Sequence, residues 1–117
     1  MVSNGSREQV LTRAQAALEA GAAWRARDLL AAHVEAVKDP EAMALLGEVY
    51  EGMGDLPRAG AIWFATGAKG DQVDAAVAAW RAQSGDDFAA MWWSLPASVR
   101  VDPLPRRIEA LRERARA

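Results

Sequence analysis

Cysteine is absent from this chain and histidine occurs once, as His33. Without cysteine there is no disulfide framework and no thiolate metal site, and a reducing compartment is the simplest expectation. No apolar run approaches the roughly 18 residues that suggest a membrane span. The polar start, Met1 to Ser6, has no hydrophobic signal region. These features predict a soluble, cytoplasmic protein that does not associate with a membrane.

Excess charge is also lacking, since the formal net charge is −2, and nucleic acid is therefore not an expected partner. The charge is nevertheless uneven: residues 103–117 carry a net +3 and the rest of the chain −5. A solvated last helix, with C-terminal arginines favoured by the helix dipole, explains this basic end. Contact with nucleic acid or an acidic partner is the alternative.

Sequence signatures of catalysis are missing as well, because no G-x-S-x-G, P-loop or Rossmann fingerprint occurs. A dyad or metal site at His33 would need carboxylates held around it. Asp28, Glu35 and Glu41 lack the spacing of such ligands, so His33 is expected to pack or hydrogen-bond between helices. The sequence predicts a protein that is not an enzyme, with no catalytic residue, no metal site and no cofactor.

A small-residue signature occurs three times, with an Ala five residues after a Gly. The copies are Gly21 to Ala26, Gly54 to Ala59 and Gly85 to Ala90, separated by 33 and then 31 residues. Alanine dominates the composition, which favours helix over sheet. A period of about this length is typical of helical-hairpin repeats, in which each hairpin buries its apolar face by stacking on the next.

Apolar spacing and helix-breaking residues predict seven helices in one domain over residues 1–117. Three hairpins are expected at about 7–37, 40–66 and 71–94, then a strap at 95–103 and a capping helix at 104–116. The residues expected to begin helices are Ser6, Asp39, Asp55, Asp71 and Asp86. Three prolines between 96 and 105 predict that the strap is extended rather than helical.

The central hairpin carries the most specific pattern: Met43-x2-Leu46-Gly47-x2-Tyr50, then Gly54-Asp55, then Ala59-x3-Trp63. This pattern resembles the tetratricopeptide repeat. Gly47 and Ala59 lack bulk where the two helices cross, so Tyr50 and Trp63 can fill the space on either side. The closing proline of the repeat is missing, and Asp71 stands in its place. Gly47 is expected to lie against the second helix near Ala59, with no room for a side chain.

The segments Gly54 to Gly60, Trp63-Phe64 and Ser94 to Ala97 are also similar to an uncharacterised bacterial family of short tetratricopeptide-like proteins. That likeness covers about Ala22 to Ser98 and implies a fold without an established activity. The expected fold is all-α, with three antiparallel helical hairpins stacked as a short tetratricopeptide-like array and a C-terminal capping helix.

The chain has five tryptophans, and their positions relative to the predicted hairpins divide them into two groups. Trp24, Trp63 and Trp80 fall at hairpin packing positions and are expected in the core. Trp92 and Trp93 are adjacent, so they point about 100° apart on a helix and cannot bury against the same neighbour. We expect one of them to pack inward and the other to lie under the strap, with exposure at an interface as the alternative.

In tetratricopeptide arrays the first helix of each pair lines a concave groove, and the resemblance therefore implies a candidate partner-binding groove in this chain. Its residues are Glu8, Leu11, Gln15, Glu19, Glu41, Ala44, Glu48 and Glu51. The groove would be acidic, although a solvated acidic surface without function fits the same residues.

The function expected from these features is protein–protein interaction, with a basic protein or peptide held in the groove. One alternative is an immunity or antitoxin protein that neutralises a basic toxin. Another is a structural self-assembly unit that dimerises through Trp92, Trp93 and the last helix. The chain is expected to be a monomer or a weak homodimer.

Overall fold

A computed structural model of the protein describes residues 4–117, with side chains from Ser6 onward, and all of its regular structure is helical. The elements are α1 (Asn4–Glu19), α2 (Ala23–Ala36), α3 (Pro40–Gly52), α4 (Leu56–Thr66), α5 (Asp71–Gln83), α6 (Phe88–Ser94), a 3₁₀ helix (Ala97–Val99) and α7 (Arg106–Arg116). No strand occurs within that range. The all-α prediction is confirmed.

Short polar residues begin the central helices as the sequence predicts. Asp39 caps α3 by accepting a hydrogen bond from the Ala42 N–H at 3.3 Å, and Pro40 occupies the first turn. Asp55 caps α4 in the same way, through the Arg58 N–H. Each cap satisfies an N–H group that has no partner within its helix.

Two predicted helix starts are wrong. Ser6 does not begin α1, because the chain is already helical at Asn4. The sixth helix begins after Asp87, whose carboxylate accepts from the Ala89 and Ala90 N–H groups, rather than after Asp86. Asp86 instead completes the turn that ends α5, with a left-handed φ of 59° and its N–H bonded to the Arg81 carbonyl.

The sequence predicts an extended strap, but this is only partly correct. The strap contains the 3₁₀ helix Ala97–Val99. This turn buries Val99, which is 1% exposed, and Leu95 just before it is 2% exposed. The Ser98 hydroxyl donates to the Val34 carbonyl of α2 at 2.5 Å. The short helix forms because it turns an apolar side chain of the strap into the core.

Successive helices from α1 to α5 pack against one another along the chain. Two glycines allow the closest approaches. A Cβ atom on Gly47 would lie 2.3 Å from Nε1 of Trp63, so the Trp63 ring of α4 lies directly against α3 and leaves no room for a side chain, as expected. A Cβ on Gly60 would lie 2.1 Å from the Ala76 carbonyl oxygen, so the backbones of α4 and α5 are in direct contact.

The last part of the chain is arranged differently, since the backbone of α6 lies mainly against α7. Side chains connect α6 to α5: the Trp80 indole N–H donates to the Ser94 hydroxyl at 2.9 Å. Ile108 and Leu111 of α7 are buried. Arg107 of α7 donates to the Phe64 and Ala65 carbonyls, at 2.6 Å each, and thereby binds the C-terminal end of α4.

The tryptophans fall only partly where the sequence places them. Trp63 and Trp80 are buried, and Trp92 is the inward-facing member of the adjacent pair. Trp24 is 57% exposed, so its expected core position is wrong. The buried face of α2 begins at Ala26, and a residue two positions earlier points about 200° away from that face.

Trp93 is 67% exposed. The prediction that the strap would cover it is therefore wrong. The strap contributes Arg100, whose guanidinium carbon lies 4.7 Å from the ring centroid. This cation–π contact leaves most of the indole in solvent. Among the described helices, none combines the length and apolarity needed to cross a membrane.

Candidate functional site

A surface depression of about 600 Å³ lies between α1 and α3, and we call it the α1/α3 groove. It brings together the predicted residues Leu11, Gln15, Glu19, Glu41, Ala44 and Glu48. Its other lining residues, Thr12, Ala16 and Leu45, were not among the predicted ones. The resemblance predicts one stripe of residues on each helix, whereas both helices contribute two adjacent stripes to the groove.

Two predicted residues do not line the groove. Glu8 is exposed on α1 outside it. The carboxylate of Glu51 accepts a hydrogen bond from the side-chain amide of Gln72. This bond joins the last turn of α3 to the first turn of α5, so Glu51 connects two helices.

The local sequence of both helices explains why the groove stays open. On α1, Ala14 and Ala17 are buried, so the residues on the other side of the helix are left facing the groove. On α3 the buried face includes Met43 and Leu46, while Ala44 is exposed. Small side chains at such positions leave space between two helices that are not in close contact.

The carboxylates of the groove differ in their partners. Glu41 is paired with Arg7, whose Nη2 lies 2.5 Å from Oε2. Glu19 and Glu48 are exposed and form no ion pair within residues 6–117. Leu11 and Leu45 are half-buried beside them. The groove therefore combines an apolar surface with two carboxylates that form no ion pair with residues 6–117.

A buried polar cluster holds α1, α2 and α3 together next to the groove. Asp39, only 3% exposed, accepts at Oδ2 from His33 Nε2 and from Arg7 Nε, both at 2.9 Å. Burial alone would raise the pKa of the Asp39 carboxyl, but hydrogen bonds from His33, the Ala42 N–H and Arg7 outweigh it and lower that pKa. Asp39 is thus ionised at neutral pH, and His33 Nε2 must be the donor.

This cluster gives His33 the interhelix hydrogen-bonding role that the sequence predicts. The residue it bonds is Asp39, for which the sequence predicts only the role of a helix cap. Arg7 links the cluster to the groove, since its guanidinium bonds both Asp39 and Glu41. Within the described part of the chain, no three or more acidic or histidine side chains are arranged to hold a metal ion.

No protein-family model, no curated protein and no solved structure matches this chain. The tetratricopeptide resemblance therefore depends on the residues of the central hairpin, and any functional interpretation depends on the geometry of the surface.

Proposed function

We propose that this chain is a tetratricopeptide-like interaction module that binds a basic protein or peptide segment in the α1/α3 groove and performs no catalysis. The observation that carries the proposal is the combination of an apolar surface, from Leu11 and Leu45, with the carboxylates of Glu19 and Glu48, which form no ion pair within the described side chains. Both parts lie in one depression that is large enough to take several side chains.

The repeat-like arrangement is supported by the central hairpin. Gly47 allows the Trp63 ring to approach α3 closely, and the chain places these residues at tetratricopeptide spacing. The serial packing of α1 to α5 is the kind of nearest-neighbour stacking on which such arrays depend. The third hairpin is the least regular, because α6 packs mainly on α7.

A basic segment suits the groove for a physical reason. Lysine and arginine can lay their methylene stems on an apolar surface while the charged head reaches a carboxylate. Charge-assisted hydrogen bonds to Glu19 and Glu48 would then fix the position of the segment. Unpaired carboxylates also attract a basic partner over roughly one Debye length, about 8 Å at physiological salt.

The test uses a defined probe, a synthetic peptide of about 12 residues. Its lysines and leucines each recur every three or four residues, as they would along one face of a helix. Isotope-labelled protein is titrated with it while amide chemical shifts are recorded. We expect the shifted residues to cluster on α1 and α3 and the affinity to fall as salt is raised. The same peptide with glutamate in place of lysine should not bind.

A pair of charge-matched variants separates the groove from general electrostatics. Glu19→Lys with Glu48→Lys should weaken peptide binding about tenfold or more, the size expected when two charge-assisted contacts are reversed. Glu35→Lys with Glu113→Lys changes the net charge equally at exposed sites outside the groove and should have little effect. Equal losses from both pairs, or shifts scattered over the surface, would contradict the proposal.

A further inference from the structure

A second concavity, of about 310 Å³, lies among α5, α6, α7 and the end of α4, and we call it the C-terminal pocket. Its walls are largely apolar and include the side chains of Phe64, Val77, Phe88, Met91 and Leu111. The pocket is separate from the α1/α3 groove and shares no residue with it. Its volume falls at the lower end of the range of small-molecule sites, which begins at about 300 Å³.

Three arginines surround this apolar pocket: Arg81, Arg107 and Arg114. Arg81 is neutralised by Asp86, at 2.8 Å. Arg107 and Arg114 have no carboxylate partner within residues 6–117.

The partners that hold the two remaining arginines carry no net charge. Arg107 is fixed by the carbonyls at the end of α4, whose dipole offsets only part of its charge. Arg114 lies over the Phe88 ring, 5.3 Å from its centroid, and that contact also leaves its charge uncompensated. The rim of an apolar pocket thus carries two guanidinium groups that form no ion pair within the described part of the chain.

We propose that the C-terminal pocket binds a small amphipathic carboxylate, with an aliphatic chain of about eight carbons inside it and the carboxylate on Arg114, while the charge of Arg107 on the same rim adds to the attraction. Guanidinium groups match carboxylates in shape and can donate two parallel hydrogen bonds. The chain would contact Phe88 and Met91, and burial of its methylene groups would supply most of the affinity. This site is independent of the groove function proposed above.

The experiment titrates octanoate into the intact protein and follows amide chemical shifts together with tryptophan fluorescence, since Trp80 lines the pocket. We expect saturable binding with a dissociation constant of about 1 mM or tighter, reasonable for a ligand of this size. The shifted amides should lie in α5, α6 and α7. Octan-1-ol and octylammonium share the chain but lack the anion, and each should bind at least about fivefold more weakly.

Arg114→Gln removes one rim charge and should weaken octanoate binding about fivefold, while leaving binding of octan-1-ol unchanged. Arg116→Gln on the same helix is the matched control, because Arg116 does not line the pocket, and it should behave like the parent protein. Ala110→Phe adds a ring at an exposed position of the pocket rim, and we expect it to block octanoate without removing a native contact.

Several results would overturn the proposal. Octanoate and octan-1-ol could bind equally well, Arg114→Gln and Arg116→Gln could have the same effect, or the shifts could fall outside α5 to α7. Sedimentation of the parent protein and of Ala110→Phe provides a further test. A concentration-dependent dimer that disappears in Ala110→Phe would assign the pocket to a second copy of this chain instead.

Discussion

Replacing Asp39 by alanine tests whether the buried cluster holds the first three helices together. The change removes the cap of α3, a loss of about 1 kcal/mol. It also removes the charged acceptor of the His33 side chain, which is 6% exposed, and a hydrogen bond to a charged group contributes about 1.5–3 kcal/mol. We therefore expect Asp39→Ala to lower the free energy of unfolding by about 3 kcal/mol, and the melting temperature by roughly 10 °C.

The measurement is urea unfolding near neutral pH, followed by far-ultraviolet circular dichroism. Asp55→Ala is the matched control, because Asp55 also caps a helix but is more exposed, at 26% for its side chain. It should cost only about 1 kcal/mol. If both variants lose the same small amount of stability, Asp39 is only a cap and its bonds to α1 and α2 contribute little.

The same cluster predicts a pH dependence. The pKa of Asp39 is lowered in the folded protein, so its contribution to stability is fully present above its unfolded pKa of 3.8 and is lost as the pH falls through the folded value. The stability difference between the parent protein and Asp39→Asn should therefore shrink as the pH falls below 3.8 toward the folded value. A difference that grows below this pKa would refute the assigned sign.

Two further changes test the packing. Gly60→Ala should destabilise the protein by about 2 kcal/mol or more, because the added Cβ would lie 2.1 Å from the Ala76 carbonyl oxygen of the α5 backbone. Gly52→Ala is the control, since a Cβ added there has no neighbouring atom within 4 Å. It should be neutral or slightly stabilising in the same denaturation assay. Truncation after Ser94 removes the buried side chains of Leu95, Val99 and Ile108 and should produce aggregation or a concentration-dependent dimer in sedimentation experiments. A monomeric truncated protein with unchanged tryptophan fluorescence would show that the strap and α7 do not cover the core.

Much of the secondary structure can be predicted from the sequence because it depends on residues only a few positions apart. The starts of α3 and α4 follow from Asp39 and Asp55, each of which bonds an N–H group three residues later. The tetratricopeptide resemblance implies a groove on the first helix of each pair, and the residues on that face follow because positions three, four and seven apart share one side of a helix. Glu41, Ala44 and Glu48 of α3 have this spacing, and all three line the groove.

Contacts between residues far apart in the chain are decided by the tertiary structure alone. Arg7 meets Glu41 across 34 positions, and Arg107 meets the Phe64 carbonyl across 43. No local pattern encodes such pairs, because they depend on the angles and distances at which whole helices pack. The exposure of Trp24 was mispredicted for the same reason. Hydrophobicity favours burial of any tryptophan, but burial also requires a neighbouring helix, and only the packed fold determines which faces have one.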